Sequence, residues 1–281
     1  MEFSSPDGER RYAALVRSAG ATVVGLDFDG TLSPIVDDPE AAGIHPAAPG
    51  VLVALAEQVH AVAVVTGRPA RQVLALGGLD EVGDAMGEAG HELLVFGQYG
   101  NERWTSFDRR VVSPRPPAGL SSFLSELPGL LRRGEAAEAY VEDKGLAVAV
   151  HTRRLPDPAG AFERLLPLLS AAADAHDLAV EPGRNVVEVR APGMHKGAVV
   201  QRLAADPEVR GFVFVGDDLG DREAFEAVAE LRAGGADTLL VCADHDEDEG
   251  SALRDLADVV VAGPDGVLDF LRTLTADAAR K

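Results

Sequence analysis

Short apolar runs rich in valine alternate along the chain with amphipathic stretches of helical length, the pattern of a parallel sheet covered by helices on both faces. In the first part of the chain the spacing predicts strands over 22–28, 61–65 and 93–96. A long turn through Pro34, Pro39 and Pro46 follows the first strand, a helix enters at Pro49 and runs towards Val59, and another begins after Pro69 and breaks at Gly77-Gly78. The pattern then changes. A helix near 119–132 precedes apolar runs at 139–142 and 146–151, separated by the turn Asp143-Lys144-Gly145. A second helix, about 158–175, precedes runs at 178–181 and 186–189, joined across Pro182-Gly183-Arg184-Asn185. Helix, hairpin, helix, hairpin implies antiparallel pairing and an α+β unit of its own. After Pro192 the alternation resumes, with a helix from Lys196, a strand at 212–215, a helix from Asp221, a strand at 238–241 and a last helix from Asp265. The expected fold class is α/β: a doubly wound parallel-sheet core at 1–112 and 191–281, with an inserted α+β domain at 113–190. The proline-bearing stretches around 111–117 and 190–192 are read as linkers.

Composition supports a well-cored chain rather than a disordered one, since 281 residues carry 46% hydrophobic and 26% charged side chains. Lys+Arg 26 against Asp+Glu 46 leaves a net charge of −20, which repels polyanions. Neither a nucleic acid nor a membrane surface is expected as partner, and no apolar run approaches the roughly 20 residues a bilayer requires. Cys242 is the single cysteine, so no intramolecular disulfide is available. With a polar start over 1–11 in place of a secretory leader, the expected compartment is the reducing cytoplasm.

The strongest chemical signal is Asp27-Phe28-Asp29-Gly30-Thr31, two carboxylates two apart at the C-terminal end of an apolar strand. Strand alternation puts both on one side, where one can act as nucleophile and the other as proton donor. An Asx-rich turn capping a helix is the alternative for so short a string. A second acidic pair, Gly216-Asp217-Asp218, ends the strand at 212–215, and two acidic strand ends invite a hard cation such as Mg²⁺ rather than zinc. Asp217 or Asp221 as a helix N-cap is the competing explanation. Thr66-Gly67-Arg68 closes the second strand with groups suited to phosphate oxygens, and Lys196 stands at a helix start, where free N–H groups also favour an anion. Each is weak alone.

In their order and spacing, Asp27-Phe28-Asp29-Gly30-Thr31-Leu32, Thr66-Gly67-Arg68, Lys196 and Gly216-Asp217-Asp218 together resemble the motifs of the haloacid dehalogenase superfamily of phosphohydrolases. The inserted block lies between the second and third motifs, where one class of that superfamily carries an α+β cap. Within it the chain is most similar to the trehalose-6-phosphate phosphatases, over most of its length. The stretches that carry this are 26–34, 64–68, Tyr99-Gly100-Asn101-Glu102-Arg103, Glu142-Asp143-Lys144-Gly145-Leu146, His151-Thr152-Arg153, Glu181-Pro182-Gly183-Arg184 and 187–197. The family's last motif usually reads Gly-Asp-Asp-x-Thr-Asp-Glu, whereas Gly220 and Arg222 stand here at the Thr and Glu positions.

The resemblance implies a Rossmann-like catalytic core and a sugar-recognising cap. It implies Asp27 as the nucleophile that forms an aspartyl-phosphate and Asp29 as the general acid and base. Asp217, the Asp27 carboxylate and the Asp29 carbonyl would hold Mg²⁺, with Asp218 in support, while Thr66, Lys196 and the N–H groups of Gly30 and Thr31 would bind the phosphoryl oxygens, with Gly67 and Arg68 beside them. Cap positions Glu142, Lys144 and Glu181 match polar positions the family uses on the sugar, with Arg184, Glu188, Asn101 and Arg103 as further candidates. Trehalose 6-phosphate is the implied partner, and a functional link to a trehalose-6-phosphate synthase and a monomeric state are compatible with it. A phosphatase of the same fold acting on sucrose 6-phosphate or mannosyl-3-phosphoglycerate is the enzymatic alternative. A sugar-phosphate sensor without turnover is the other.

Other strings do not lead to sites. Asp244-His245-Asp246-Glu247-Asp248-Glu249 imitates a calcium loop but has Glu249 where the sixth-position glycine belongs, and reads as a solvated acidic loop. His91-Glu92 lacks a second histidine four positions after the first, no P-loop string occurs, and the remaining histidines show no ligand spacing along the chain.

Overall fold

The computed structural model describes residues 2–36, 38–183, 185–245 and 251–281. Arg184 and the acidic stretch 246–250 therefore lie outside the described residues. The chain divides into two compact units, Met1–Ser113 with His195–Lys281, and Pro114–Met194.

The first unit opens with β1 (Glu2–Phe3) and α1 (Pro6–Arg17), followed by β2 (Thr22–Leu26), α2 (Ala48–Ala56), β3 (Ala61–Val65), α3 (Ala70–Gly77), α4 (Leu79–Glu88), β4 (Leu93–Gly97) and β5 (Glu102–Thr105). The second unit holds α5 (Leu120–Arg133), β6 (Tyr140–Asp143), β7 (Ala147–His151), α6 (Pro158–Ala175), β8 (Ala179–Gly183) and β9 (Val186–Arg190). The first unit then resumes with α7 (Gly197–Ala204), β10 (Gly211–Gly216), α8 (Arg222–Ala233), β11 (Asp237–Asp244), α9 (Ser251–Arg254), β12 (Val259–Ala262) and α10 (Gly263–Ala279).

An eight-stranded sheet in the order β1-β12-β11-β10-β2-β3-β4-β5 organises the first unit. Its inner strands are parallel, and only the edge strands β1 and β5 pair antiparallel. Alternate residues serve opposite faces: Val24, Leu26, Val62, Val64, Val213 and Val215 pack into one apolar cluster, and Val23, Ala63, Val65, Phe212 and Phe214 into the other. Burial on both sides is why these strands read as unbroken apolar runs. From β2 the chain winds outward through β3 and β4, then returns to β10 on the other side of β2. That reversal is where α/β sheets place ligands, at the carboxyl ends of the strands.

In the second unit β6, β7, β9 and β8 form one antiparallel sheet, because the two expected hairpins join through β7 and β9. Val148, Val150, Val187 and Val189 pack on Phe123, Leu165 and Leu169 of the helices. The turn at Asp143-Lys144-Gly145 forms as its sequence dictates, with Gly145 at φ 81° and its N–H donating to Asp143 Oδ1 at 2.8 Å.

Several elements differ from expectation for physical reasons. The first strand stops at Leu26 rather than 28, since the Asp27 turn begins at once. The Gly77-Gly78 break separates two helices, with Gly78 left-handed at φ 53° between them. The polar start is helix α1, whose Ser5 hydroxyl caps Gly8 N–H and which buries only Tyr12, Leu15 and Gly8. The edge strand β5, opening on Glu102-Arg103, carries no apolar signal. No described helix is long and apolar enough to cross a membrane.

One buried carboxylate ties the far side of the core. Asp258 is 3% exposed and accepts from Arg11, Arg232 and the Leu240 N–H. Asp258→Ala is expected to cost about 2 kcal/mol or more in urea denaturation, below the ~3–5 kcal/mol of a fully buried pair because both guanidiniums stay partly hydrated. A midpoint unchanged from the parent would show the network to be energetically idle.

Candidate active site

The order β10-β2-β3 brings three sequence motifs to one edge. Asp27 follows β2 directly, its N–H donating to Val215 O at 2.9 Å, and the residue is 4% exposed. Lys196, at the N-cap of α7, donates to Asp27 Oδ1 at 2.5 Å and to Asp221 Oδ1 at 2.6 Å. Asp221 is fully buried, and its other oxygen accepts the Asp217 N–H at 3.1 Å. It does not cap α8 with its side chain. A short 3₁₀ turn after β10, closed by Asp218 Oδ1 accepting the Gly220 N–H at 2.9 Å, folds Asp221 back beneath the lysine.

Asp29 faces elsewhere. Both its oxygens accept from Arg68, at 2.7 and 2.6 Å, a bidentate clamp. Thr66 is 1% exposed and its hydroxyl accepts the Arg68 N–H at 3.1 Å. Between the two aspartates and β10 the backbone is tight. Gly30 sits at φ 71°, and a Cβ there would stand 2.0 Å from Asp217 Oδ2, so only glycine fits. Thr31 is wholly buried with no hydrogen-bond partner for its hydroxyl, an unspent donor at the turn. Gly67 lies under the Tyr99 ring, which a Cβ would meet at 2.8 Å.

The electrostatics are those of too many carboxylates for one cation. Burial pushes the Asp27 carboxyl up, opposed by Lys196 and reinforced by Asp221, Asp29 and Asp218. Burial also lifts Asp217, with Asp27, Asp218 and Asp221 adding to it. Asp221 is pushed up to about 6, again chiefly by burial, against the pull of Lys196. Burial alone would lower the Lys196 ammonium, but Asp221, Asp27 and Asp218 together hold it well above its usual range.

A divalent cation suits this cluster. Oxygens of Asp27, Asp217 and Asp221 lie within 4.8 Å of one another, a donor set of oxygen alone. The Asp217 carboxylate has no hydrogen-bond partner among the described residues. Asp218, by contrast, gives one oxygen to its turn. His245, from the acidic stretch read as solvated, lies against Gly30 and Gly263, with a buried, unpartnered Nε2 at 3.6 Å from Asp217 Oδ2.

The second unit gathers the other candidates by strand register. Glu142 pairs with Ala149, Ala149 with Glu188, and Glu188 with Glu181, so three glutamates stand in one row on one sheet face with a small residue between them. Lys144 donates to Glu188 at 2.6 Å, Arg190 to Glu181 at 2.9 Å and to Glu188 at 3.4 Å, and His151 lies 3.0 Å from Glu142. The face opposite packs on the helices, which leaves this row as a polar platform.

Comparison with known proteins agrees with this arrangement. The family model described as trehalose-phosphatase matches residues 25–106 and 132–259, spanning every motif at this edge and the glutamate row. The chain belongs to the trehalose-phosphatase family. A probable trehalose-phosphate phosphatase of Sinorhizobium fredii is 31% identical over 227 residues, 80% of each chain. An uncharacterized glycosyl hydrolase of Mycobacterium tuberculosis strain CDC 1551 is 35% identical over 233 residues, 79% of this chain but 17% of that protein, so the chain spans about a sixth of its length. In fold, the C-terminal domain of Candida albicans trehalose-6-phosphate phosphatase superposes with a TM-score of 0.77 at 19% identity, covering 98% of both chains. The fold class read from the sequence is thus the family's own, with a mostly parallel central sheet.

Within this family member, one of the two departures from the usual last motif touches the acidic cluster through its backbone and the other points to the surface. Gly220 makes the backbone contact to Asp218, and Arg222 pairs with Glu226 at 2.9 Å on the surface of α8. Two sequence candidates are engaged apart from the carboxylates around Asp27. Asn101 Nδ2 donates to Gln98 O at 3.0 Å within its own turn, and Arg103, on β5, lines a cavity that contains none of the residues around Asp27. Asp221 and His245 are what sequence reasoning underused. Asp221 carried a signal in its spacing from Asp217, whereas His245 carried none.

Proposed function

We propose that the chain hydrolyses trehalose 6-phosphate to trehalose and phosphate through an aspartyl-phosphate on Asp27. The observation that carries this reading is Asp27 itself, a buried carboxylate held by Lys196 beside Asp217 and Asp221, in a chain of this family. An Asp27 oxygen bonds to phosphorus as the bond from phosphorus to the sugar oxygen breaks, and Asp29 gives its proton to the departing alkoxide. Asp29 then takes a proton from the water that attacks the phosphoryl group, releasing phosphate and restoring Asp27. Arg68 must let go of Asp29 for either transfer, and an incoming phosphoryl group is a competing acceptor for that guanidinium. Lys196 and the hydroxyls of Thr66 and Thr31 take the phosphoryl oxygens. Asp27, Asp217 and the Asp29 carbonyl would hold Mg²⁺, which supplies positive charge against the phosphoryl oxygens when bound.

Sugar recognition falls to the row of Glu142, Glu188 and Glu181 with Lys144 and Arg190, since carboxylates grip hydroxyl groups in pairs and a disaccharide presents many. The single thiol, Cys242, is buried, which suits a reducing cytoplasm, and a trehalose-6-phosphate synthase is the natural source of the substrate.

The test is phosphate release from trehalose 6-phosphate, sucrose 6-phosphate and glucose 6-phosphate, with Mg²⁺ and with EDTA. Release is expected from trehalose 6-phosphate with kcat/KM at least about tenfold above the other two, and none is expected in EDTA. Preference for another sugar would remove the substrate assignment while keeping the chemistry. Tight binding by calorimetry without release from any sugar would replace the enzyme with a sensor.

A further inference from the structure

At the amino ends of the strands, away from the Asp27 edge, three donor side chains converge that show no ligand spacing along the chain. His60 closes the connection from α2 to β3, and Asp206 and Glu208 lie in the connection from α7 to β10. One imidazole nitrogen and an oxygen of each carboxylate lie within 4.8 Å of one another. His60 Nε2 stands 3.6 Å from Asp206 Oδ2. That is too long for a hydrogen bond. It is close to the ~3.4 Å that separates two donors each about 2.1 Å from one tetrahedral ion. The backbone around them is held: the His60 N–H donates to Thr22 O at 2.9 Å, the Val209 N–H to Asp206 O at 3.0 Å, and the Glu208 N–H to Asp206 Oδ1 at 2.9 Å. The imidazole is 24% exposed and Asp206 47%, so the ring is positioned while an ion can still enter. His60 and Asp206 also line a cavity of about 480 Å³, with His91 and Glu92 on its wall and room for the waters that would complete a coordination sphere.

We propose that His60, Asp206 and Glu208 form a binding site for a divalent transition-metal ion of the Zn²⁺, Mn²⁺ or Co²⁺ kind, separate from the oxygen-only cluster at Asp27. An imidazole with two carboxylates selects such ions over Mg²⁺, which leaves the two sites chemically distinct. The site joins two elements that matter at the other edge. β3 carries Thr66 beyond its far end, and α7 carries Lys196 at its N-cap, so an ion here would fix the ends of both opposite to those residues. The site stands independently of the proposed substrate.

The experiment is a titration of Co²⁺ into the chain in excess Mg²⁺, followed by calorimetry and by the visible absorption of the bound ion. One equivalent is expected in the parent chain and in Asp217→Asn, whose substitution lies in the other cluster. His60→Gln should bind at least about tenfold more weakly. Glu208→Gln, an exposed position whose loss leaves packing intact, should weaken binding likewise. No saturable binding in the parent would overturn the proposal, as would binding lost in Asp217→Asn or retained in full by either His60→Gln or Glu208→Gln.

Discussion

Asp27→Asn is expected to lower phosphate release from trehalose 6-phosphate by on the order of 10⁴-fold or more, the loss typical of removing a group that itself bonds to the substrate. The chain should remain folded. Asn has nearly the shape of Asp, and Asp27 is a buried carboxyl that its surroundings push towards the neutral form, so replacing it with a neutral group relieves desolvation. What is lost is one of the two negative charges beside Lys196, and Asp221 remains at 2.6 Å to hold the ammonium. Thermal midpoints of the two proteins should therefore lie within a few degrees of each other, while activity disappears. A nucleophile can be told from a residue that merely orders the site by trapping the intermediate: acid-quenched parent enzyme should carry one phosphoryl group by mass, and Asp27→Asn none. Substantial turnover by Asp27→Asn, or a phosphoryl group found on another side chain, would remove Asp27 from the role. Asp29→Asn offers the complementary result. It keeps the nucleophile but has neither the acid for the departing alkoxide nor the base for the water, so both steps should slow and phosphate release should fall while the chain stays folded.

Which parts of this were legible in the sequence follows from how each residue is buried. β2, β3 and β10 lie inside a sheet covered on both faces, so every side chain in them except that of Thr22 is apolar and the strands stand out. The acidic motifs were legible because they end those strands. Helices α1 and α4 bury only a narrow stripe, Tyr12 and Leu15 in one and Leu79, Val82 and Met86 in the other, among charges and glycines, so their apolar spacing is helical but too sparse to stand out as a run. The glutamates at 142, 181 and 188 could be singled out individually, but their alignment in a row is a fact of strand register, set when β7 pairs with β9 rather than by any local string. The clamp of Arg68 on Asp29 and the approach of His245 to Asp217 are contacts between separate connections of the sheet, and no pattern within either segment announces them. The same holds for His60 with Asp206 and Glu208.

Lys196→Met should produce the second large effect, and its pH dependence distinguishes a buried charge partner from a packing residue. Methionine keeps the length of the side chain but leaves Asp27 and Asp221 buried with no cation between them. Activity should fall by about 10³-fold or more, since the phosphoryl oxygens lose their ammonium. The stability effect follows from linkage. Burial already lifts the Asp221 carboxyl to about 6, with Lys196 opposing the rise. A folded state that holds a proton the unfolded chain has released loses stability as pH rises between the two pKa values. For Asp221 in the parent that window runs from the usual carboxylate range up to about 6. Without Lys196 both carboxyls climb further, so the folded variant keeps more protons and the window extends upward. In EDTA, urea midpoints of parent and Lys196→Met should therefore lie close together near pH 4, where the carboxyls are largely protonated in both, and separate steadily towards pH 8, the variant falling by on the order of 3 kcal/mol or more. Curves that stay parallel across that range would mean that Lys196 contributes through packing alone, and that the acidic cluster does not depend on it for charge.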